Sequence, residues 1–216
     1  IEAARDVEIP DAAPLVVGTV SGTTRDVVNP ATGDLVGRVT DADAACTETA
    51  IEAAAPWTAS PAERAQVLRR AADLYEENFG PLFAVLAKEA GKSLPDAVGE
   101  LREAVDFLRY YADQGEVRED AARGLFTAIS PWNFPLAIFT GQVSAALAAG
   151  NGVLAKPAEQ TCLVAAMAVR LLHEAGVPLS ALQLLPGDGK VGAALTSSSK
   201  INGVRAWRNP WLRGPR

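Results

Sequence analysis

The chain has 216 residues, of which 49% are apolar and 21% are charged. This length fits one or two domains, one large domain being the more economical interpretation, and the composition excludes collagen-like, coiled-coil and disordered classes. Its 20 basic and 26 acidic residues give a formal net charge of −6, which argues against a general nucleic-acid-binding surface.

The first 40 residues contain short β-prone segments separated by turn residues. We predict strands at 14–20, 26–28 and 35–39, because Gly22, Asn29-Pro30 and Thr32-Gly33 between them are typical turn chemistry. Residues 1–40 are therefore expected to form an antiparallel hairpin or edge strands. The chain begins at Ile1 without a basic and apolar leader, so we expect an internal segment of a longer product or a processed one.

Helical signals dominate residues 41–123. Ser60, Pro61 and Glu63 have the pattern of a capping box with proline at the first helical position. A second helix is predicted at 82–90 with Gly91 at its end, and Ser93 opens a third in the same way as Ser60. The acidic faces of these scaffold helices are expected to face solvent.

After residue 124 strands and helices alternate. We predict strands at 125–130, 152–156, 182–185 and 201–204, and helices at 136–149, 162–175 and 190–196, with Thr161 capping the second of these helices. This alternation predicts an α/β fold with a parallel sheet over residues 124–204. No charged residue occurs from 124 to 155. We favour buried strands over a transmembrane helix there, because prolines, glycines and polar amides interrupt the run.

The last twelve residues, 205–216, differ from the rest of the chain. They hold four arginines and no acidic residue, together with two of the four tryptophans, Trp207 and Trp211. We therefore treat 205–216 as an aberrant basic tail.

Cysteine and histidine are scarce, since the chain has two cysteines and one histidine. Cys46 and Cys162 do not make a disulfide framework, and His173 leaves too few soft ligands for zinc, so we expect no metal site and a cytoplasmic location. Cys162 at a helix start near Lys156 has two interpretations, a buried structural thiol or a thiol of lowered pKa, and the structural one is favoured.

Ligands of parallel sheets bind beyond the carboxyl ends of the strands. Lys156 and Glu159 follow one strand, and they suit either ribose hydroxyls or a salt bridge at the rim. Asn133, between two prolines after another strand, is either an oxyanion donor or a turn residue. Gly187, Gly189 and Gly192 spell a dinucleotide fingerprint. No acid follows Asp188, so we favour a plain βα turn close to a ligand.

Three segments carry a family resemblance. Residues 129–140 are Ile-Ser-Pro-Trp-Asn-Phe-Pro-Leu-Ala-Ile-Phe-Thr, residues 148–151 are Ala-Ala-Gly-Asn, and residues 154–161 are Leu-Ala-Lys-Pro-Ala-Glu-Gln-Thr. The sequence strongly resembles the aldehyde dehydrogenase superfamily over about residues 26–204. Within it, the sequence is similar to the L-glutamate γ-semialdehyde (1-pyrroline-5-carboxylate) dehydrogenase module of bifunctional proline utilisation A.

The resemblance implies a Rossmann-like NAD-binding domain and NAD-dependent oxidation of a small aldehyde, here L-glutamate γ-semialdehyde, to an acid in proline catabolism. In the family a cysteine thiolate adds to the aldehyde, an asparagine amide stabilises the oxyanion, and a glutamate activates water. By motif, Asn133 matches that asparagine, and Lys156 and Glu159 match the pair that holds the adenosine ribose. The remaining matches are Ile129, Ser130 and Trp132 along the cofactor cleft, Gly187 near the adenine, and Phe134 at the substrate tunnel.

The sequence also departs from the family pattern. The family continues after a strand like 201–204 with Phe-Thr-Gly-Ser and then a catalytic domain with the nucleophilic cysteine and the glutamate base, and these are expected to be absent here. Residues 112–128 are short beside the family's oligomer-contact hairpin, which leaves the oligomeric state open. The proline dehydrogenase half, to which such modules are fused or with which they associate, is not in this chain. We expect a truncated NAD-binding domain that is inactive alone. The alternatives are an NAD-binding module and an unstable, non-functional relic.

Overall fold

The structure is a computed structural model that describes residues 7–118 and 120–206. Its first half contains β1 (Gly22–Val28), β2 (Leu35–Ala42), α1 (Ala44–Ala53), α2 (Pro61–Glu77), α3 (Phe79–Ala90) and α4 (Leu94–Glu116). Its second half contains β3 (Leu125–Ile129), α5 (Ala137–Ala148), β4 (Gly152–Lys156), α6 (Cys162–Ala175), β5 (Leu182–Leu184), α7 (Gly189–Ser197) and β6 (Ile201–Ala206). A short 3₁₀ turn, Glu159–Thr161, precedes α6.

The main sheet is parallel, with the strand order β5-β4-β3-β6. Its strands alternate with helices along the chain, which confirms the predicted α/β class and the Rossmann-like parallel sheet with preceding helices. The register pairs Ile129 of β3 with Lys156 of β4. These two residues therefore end their strands side by side, at the edge where ligands of such sheets bind.

Helices cover both faces of this sheet. The larger apolar core includes Tyr75, Leu108 and Phe139 and is formed with α2 to α6. A smaller core lies under α1 and α7 around Leu154 and Leu195. Burial of the sheet on both faces explains why residues 124–155 contain no charged residue, as predicted for buried strands. Nowhere in the described part of the chain is there a helix with both the length and the apolar character needed to cross a membrane.

The helix-start signals correspond to real caps. The Ser60 hydroxyl accepts from the Glu63 amide at 3.3 Å, and the Glu63 carboxylate accepts from the Ser60 amide at 2.8 Å. Ser93 caps α4, and Gly91 ends α3 with φ of +65°, a left-handed conformation that favours glycine. The predicted starts of α2 and α4 and the predicted end of α3 are thus confirmed, whereas α3 begins at Phe79, three residues before the predicted start.

The predicted strand at 14–20 is wrong. β1 and β2 form the expected antiparallel hairpin, but this earlier segment makes only an isolated bridge between Leu15 and Leu184 of β5. Pro14 has no amide hydrogen to donate, and Gly18 has φ of +108°, so a regular ladder cannot continue there. The segment instead lies along the outer edge of β5.

The boundary proposed at residue 205 falls inside a strand. β6 continues through Arg205 and Ala206, which pair with Ala128 and Ile129 of β3. The remainder of the predicted basic tail, including Trp207 and Trp211, lies outside the described residues, as does Ile1.

Candidate cofactor site

The carboxyl ends of β3 and β4 carry most of the predicted site residues. Beyond the paired Ile129 and Lys156, the Ser130 amide donates to the Lys156 carbonyl at 3.2 Å, which extends the contact one residue past β3. Ser130 is buried, whereas Trp132 is 59% exposed. The structure therefore brings Ile129, Ser130 and Lys156 together, and it leaves the Trp132 ring open to solvent beside them in the chain.

Lys156 is a buried lysine without a carboxylate partner. Its side chain is 6% exposed, and its ammonium donates to the Pro157 carbonyl at 2.9 Å. Burial lowers the pKa of this ammonium, although nearby anionic groups, including Glu159 and Asp188, oppose the shift. Among the described residues no carboxylate forms an ion pair with it, so the rim salt bridge with Glu159 is not formed. Two N–H groups of the ammonium therefore have no acceptor among these residues.

The stem of Lys156 lies beside Gly192 of α7. A Cβ placed on Gly192 would lie 3.4 Å from Cδ of Lys156 and 3.9 Å from Cδ1 of Ile129. These are ordinary van der Waals distances, so the space beside the lysine does not itself require glycine. Gly192, the last glycine of the fingerprint pattern, therefore packs close to the lysine side chain.

Glu159 is exposed at the first position of the 3₁₀ turn. Its carboxylate has no hydrogen-bond partner among the described residues. Its backbone carbonyl accepts from Nη2 of Arg25 at 2.7 Å, and Nε of Arg25 donates to Asp41 at 2.7 Å. The backbone of Glu159 is therefore anchored to the hairpin while its carboxylate stays available. Sequence reasoning missed Arg25, because its contact with Glu159 joins residues 134 positions apart.

Asn133 lies in the bend after β3 and is half-buried. Within the described part of the chain its amide makes no hydrogen bond, whereas a turn-forming asparagine would bond to its own loop. The amide is thus available as a donor. Next to it, the Phe134 ring lies under the Lys92 ammonium, 4.5 Å from the ring centroid, a cation–π contact.

Glu100 fixes the end of the Asn133 loop. Its side chain is 2% exposed, and its Oε2 accepts from the amides of Leu136 at 3.1 Å and Ala137 at 2.9 Å. Its other oxygen lies 2.9 Å from the ammonium of Lys92. Since Leu136 and Ala137 begin α5, this carboxylate caps the helix, a role that α5 does not fill with a side chain of its own.

Glu89 has the same role at the start of α6. Its two carboxylate oxygens accept from the amides of Leu163 at 2.7 Å and Val164 at 2.9 Å. Burial raises the pKa of this carboxyl to about 7, and the two amides oppose the rise. The predicted cap, Thr161, makes no side-chain capping bond, so that prediction was wrong.

The expectation that acidic helix faces point to solvent was also wrong at these two positions. Glu89 and Glu100 are 4% and 2% exposed. The missed signal was helical spacing: Glu89 follows the buried Leu82 and Leu86 of α3 on one face, and Glu100 precedes the buried Ala104 of α4 on another.

The turn at Gly187 contains Asp188, whose carboxylate caps the next helix. Oδ1 of Asp188 accepts from the Lys190 amide at 2.8 Å and caps α7. A Cβ on Gly187 would lie 2.5 Å from the Val191 side chain, so only glycine fits. Helix N-termini commonly bind phosphate. Carboxylates already occupy the starts of α5, α6 and α7, which favours the plain βα turn over a pyrophosphate loop at Gly187.

Both cysteines are buried as free thiols. Burial raises the pKa of Cys162 to about 12, and the neighbouring Glu89 acts in the same direction. Burial therefore favours the structural thiol over a thiol of lowered pKa, although Arg25 and Lys156 act in the opposite direction. No group of His, Cys, Asp or Glu suited to a metal ion occurs within residues 7–118 and 120–206.

Comparison with known proteins gives consistent matches. Relatives include bifunctional protein PutA of Escherichia coli, 52% identical over 204 residues, which cover 88% of this chain and 15% of that protein. A 1-pyrroline-5-carboxylate dehydrogenase of Bacillus mycoides is 38% identical over 201 residues, which cover 82% of this chain and 39% of the relative. The chain thus spans well under half of the length of these curated relatives.

Solved structures agree with the sequence matches. A 1-pyrroline-5-carboxylate dehydrogenase mutant of Thermus thermophilus superposes with a TM-score of 0.85 at 31% identity, covering 94% of this chain and 45% of that one. Proline utilization A of Bdellovibrio bacteriovorus gives a TM-score of 0.84 at 31% identity, covering 94% and 24%. The aldehyde dehydrogenase family model matches residues 17–206. This match includes every strand of the parallel sheet and the two site loops, which are the segments that follow β3 and β4 and carry Asn133 and Glu159. The chain therefore belongs to the aldehyde dehydrogenase family.

Proposed function

We propose that this chain is the NAD-binding part of an L-glutamate γ-semialdehyde dehydrogenase, an enzyme of proline catabolism. The observation that carries the proposal is the pair formed by Lys156 and Glu159. Within residues 7–118 and 120–206, the buried Lys156 has no ion-pair partner and the exposed Glu159 carboxylate has no hydrogen bond. A buried charge is costly unless something polar satisfies it. A ligand with adjacent hydroxyl groups satisfies both side chains.

The donor and acceptor types suit the adenosine ribose of NAD. The ammonium of Lys156 donates to hydroxyl oxygens, and the carboxylate of Glu159 accepts from hydroxyl hydrogens. A carboxylate at this place favours NAD over NADP, because it repels a 2′-phosphate. Ile129, Ser130 and Trp132 line the cleft beside this pair, and Gly187 lies in the turn nearest the adenine.

In this proposal Asn133 stabilises negative charge on the oxygen of the aldehyde. Its unpaired amide can donate to the oxygen of the aldehyde as negative charge develops there, an interaction worth up to about 4 kcal/mol in a preorganised site. NAD, held by Lys156 and Glu159, would supply the hydride acceptor for oxidation of the aldehyde. Phe134, held by Lys92, borders the path of the aldehyde.

Neither cysteine within this chain suits the nucleophile. Cys46 and Cys162 are both buried, and the raised pKa of Cys162 disfavours its thiolate. We therefore infer that the chain alone binds NAD without turning over the aldehyde. The choice of L-glutamate γ-semialdehyde as substrate is supported by the relatives named as 1-pyrroline-5-carboxylate dehydrogenases.

Calorimetric titration with NAD and NADP tests the cofactor site. We expect NAD to bind more tightly than NADP, Lys156→Met to abolish measurable NAD binding, and Glu159→Gln to narrow the difference between the two cofactors. Lys200→Met is the matched control, because Lys200 is an exposed lysine just before the amino end of β6. Equal NAD affinity for wild type and Lys156→Met would overturn the proposed site.

A second measurement tests the inferred lack of turnover. NADH formation is followed by absorbance while the purified chain is incubated with NAD and L-glutamate γ-semialdehyde. We expect no formation above a reaction without protein. Sustained turnover that survives the double variant Cys46→Ala/Cys162→Ala would require a different nucleophile, whereas turnover lost in that variant would show that one of these thiols reacts.

A further inference from the structure

Two buried carboxylates hold the helices that follow the two site loops. α5 and α6 have no side-chain N-cap of their own. Glu100 of α4 accepts from the first amides of α5, and Glu89 of α3 accepts from the first amides of α6. The same arrangement occurs on consecutive βα units, each time from a helix that precedes the sheet in the chain.

The capped amides lie close to the site residues in the chain. Leu136 is three residues after Asn133, and Leu163 is four residues after Glu159. The parallel ladder fixes the other end of each loop at Ile129 and Lys156. Each loop is therefore held at both ends, so the position of its side chains depends on the carboxylate at its far end.

Further contacts tie each carboxylate to its loop. The ammonium of Lys92 lies 2.9 Å from Oε1 of Glu100 and also stacks over the Phe134 ring. Arg25 holds the carbonyl of Glu159 at 2.7 Å and favours the charged form of Glu89. These contacts involve the loops themselves, beyond what capping of a helix requires.

We propose that Glu89 and Glu100 are positioning residues, Glu89 for the loop with Lys156 and Glu159, and Glu100 for the loop with Asn133. The Glu89 half rests on the proposed function, because NAD affinity is its functional readout. Neither glutamate touches the ligand in this proposal. Each acts through the backbone amides at the end of its loop.

Amide hydrogen exchange on the purified chain tests the placement directly. In Glu89→Gln we expect exchange at Leu163 or at Val164 to rise about tenfold, because glutamine keeps only one acceptor oxygen and one of the two amides loses its partner. Exchange at residues 136–137 should stay at the wild-type rate. Glu100→Gln should give the reverse pattern. A rise at both helix starts in either variant would mean general destabilisation and would overturn the proposal.

NAD affinity separates positioning from a merely structural role. We expect Glu89→Gln to weaken NAD binding about tenfold. Two controls should keep wild-type affinity: Ser60→Ala, which destabilises the chain by removing the cap of α2, and Glu174→Gln, which makes the same charge change at an exposed position of α6. Equal weakening in Ser60→Ala would overturn the positioning role.

The two proposals fail in different ways. If the wild-type chain binds no NAD, the proposed function is wrong, and the exchange pattern alone then decides whether the two glutamates position the loops. If NAD binds and Glu89→Gln binds it equally well, the proposed function stands and the positioning role of Glu89 is wrong.

Discussion

The carboxyl of Glu89 makes the stability of the protein depend on pH within a defined window. Burial raises its pKa from 4.5 to about 7. Below pH 4.5 the group is protonated in both the folded and the unfolded chain, and its full contribution to stability is present. Between pH 4.5 and about 7 the unfolded chain releases this proton while the folded chain keeps it. The free energy of unfolding therefore falls across this window.

The size of the loss follows from the two pKa values. They differ by about 2.5, and each pKa unit corresponds to about 1.36 kcal/mol, so the free energy of unfolding falls by about 3 kcal/mol between pH 4.5 and pH 7. The carboxyl is almost fully buried, so solvent screens this effect little. A domain is usually stable by only about 5–15 kcal/mol, so the change is large enough to measure.

Urea denaturation of wild type and Glu89→Gln at pH 4 to 8 measures this difference. Glutamine does not titrate, and its amide nitrogen cannot accept from the second backbone amide, so the variant should be less stable at pH 4. By pH 8 it should have gained about 3 kcal/mol relative to wild type. The groups facing Glu89 do not interfere, since Arg25 stays charged and burial raises the pKa of Cys162 to about 12.

Parallel stability curves for the two proteins would refute this reasoning, because they would mean that Glu89 does not change its proton affinity on folding. A gain of wild type over the variant with rising pH would refute it more strongly, since it would place the folded pKa below 4.5. Glu174→Gln should give no pH-dependent difference of this size, because Glu174 is exposed.

Three further predictions concern the rest of the fold. A Cβ on Gly152 would lie 2.5 Å from the Ala55 carbonyl oxygen, so Gly152→Ala should destabilise the chain by about 1–3 kcal/mol in urea denaturation, and unchanged stability would contradict the packing. Ser60→Ala should cost about 1 kcal/mol in the same assay, since it removes half of a capping box, and no loss would mean that the cap is not formed in solution. Cys46 and Cys162 are buried, so a thiol reagent at pH 8 should label both only after denaturation, and fast labelling of the native chain would contradict their burial.

Local signals predicted most of the fold. The capping box at Ser60, the glycine end of α3 and the alternation of strands and helices after residue 124 depend on residues close in sequence, and they appear in the structure. Lys156 and Asn133 were also found locally, because they interrupt apolar segments at strand ends. Their functional roles remain proposals.

The errors all involve partners distant in the chain. Glu89 meets the amides of α6 across 74 residues, and Arg25 meets Glu159 across 134 residues. Helical spacing indicates that Glu89 lies on a buried face, but no local pattern indicates which amides it meets, so Thr161 was expected to cap α6. The segment predicted as a strand at 14–20 also meets a distant partner, β5, and Pro14 and Gly18 prevent that contact from extending into a ladder.

The segment along the outer edge of β5 also bears on the order of folding. Leu15 exchanges two backbone hydrogen bonds with Leu184, and the Val17 amide donates to the Gln183 side chain, 166 residues away. This contact closes a very long loop, and closing it costs conformational entropy. During synthesis, however, residues 15–17 are made long before β5. The covering segment is therefore already present when the β5 edge emerges, which shortens the time for which that edge is open to pairing with other chains.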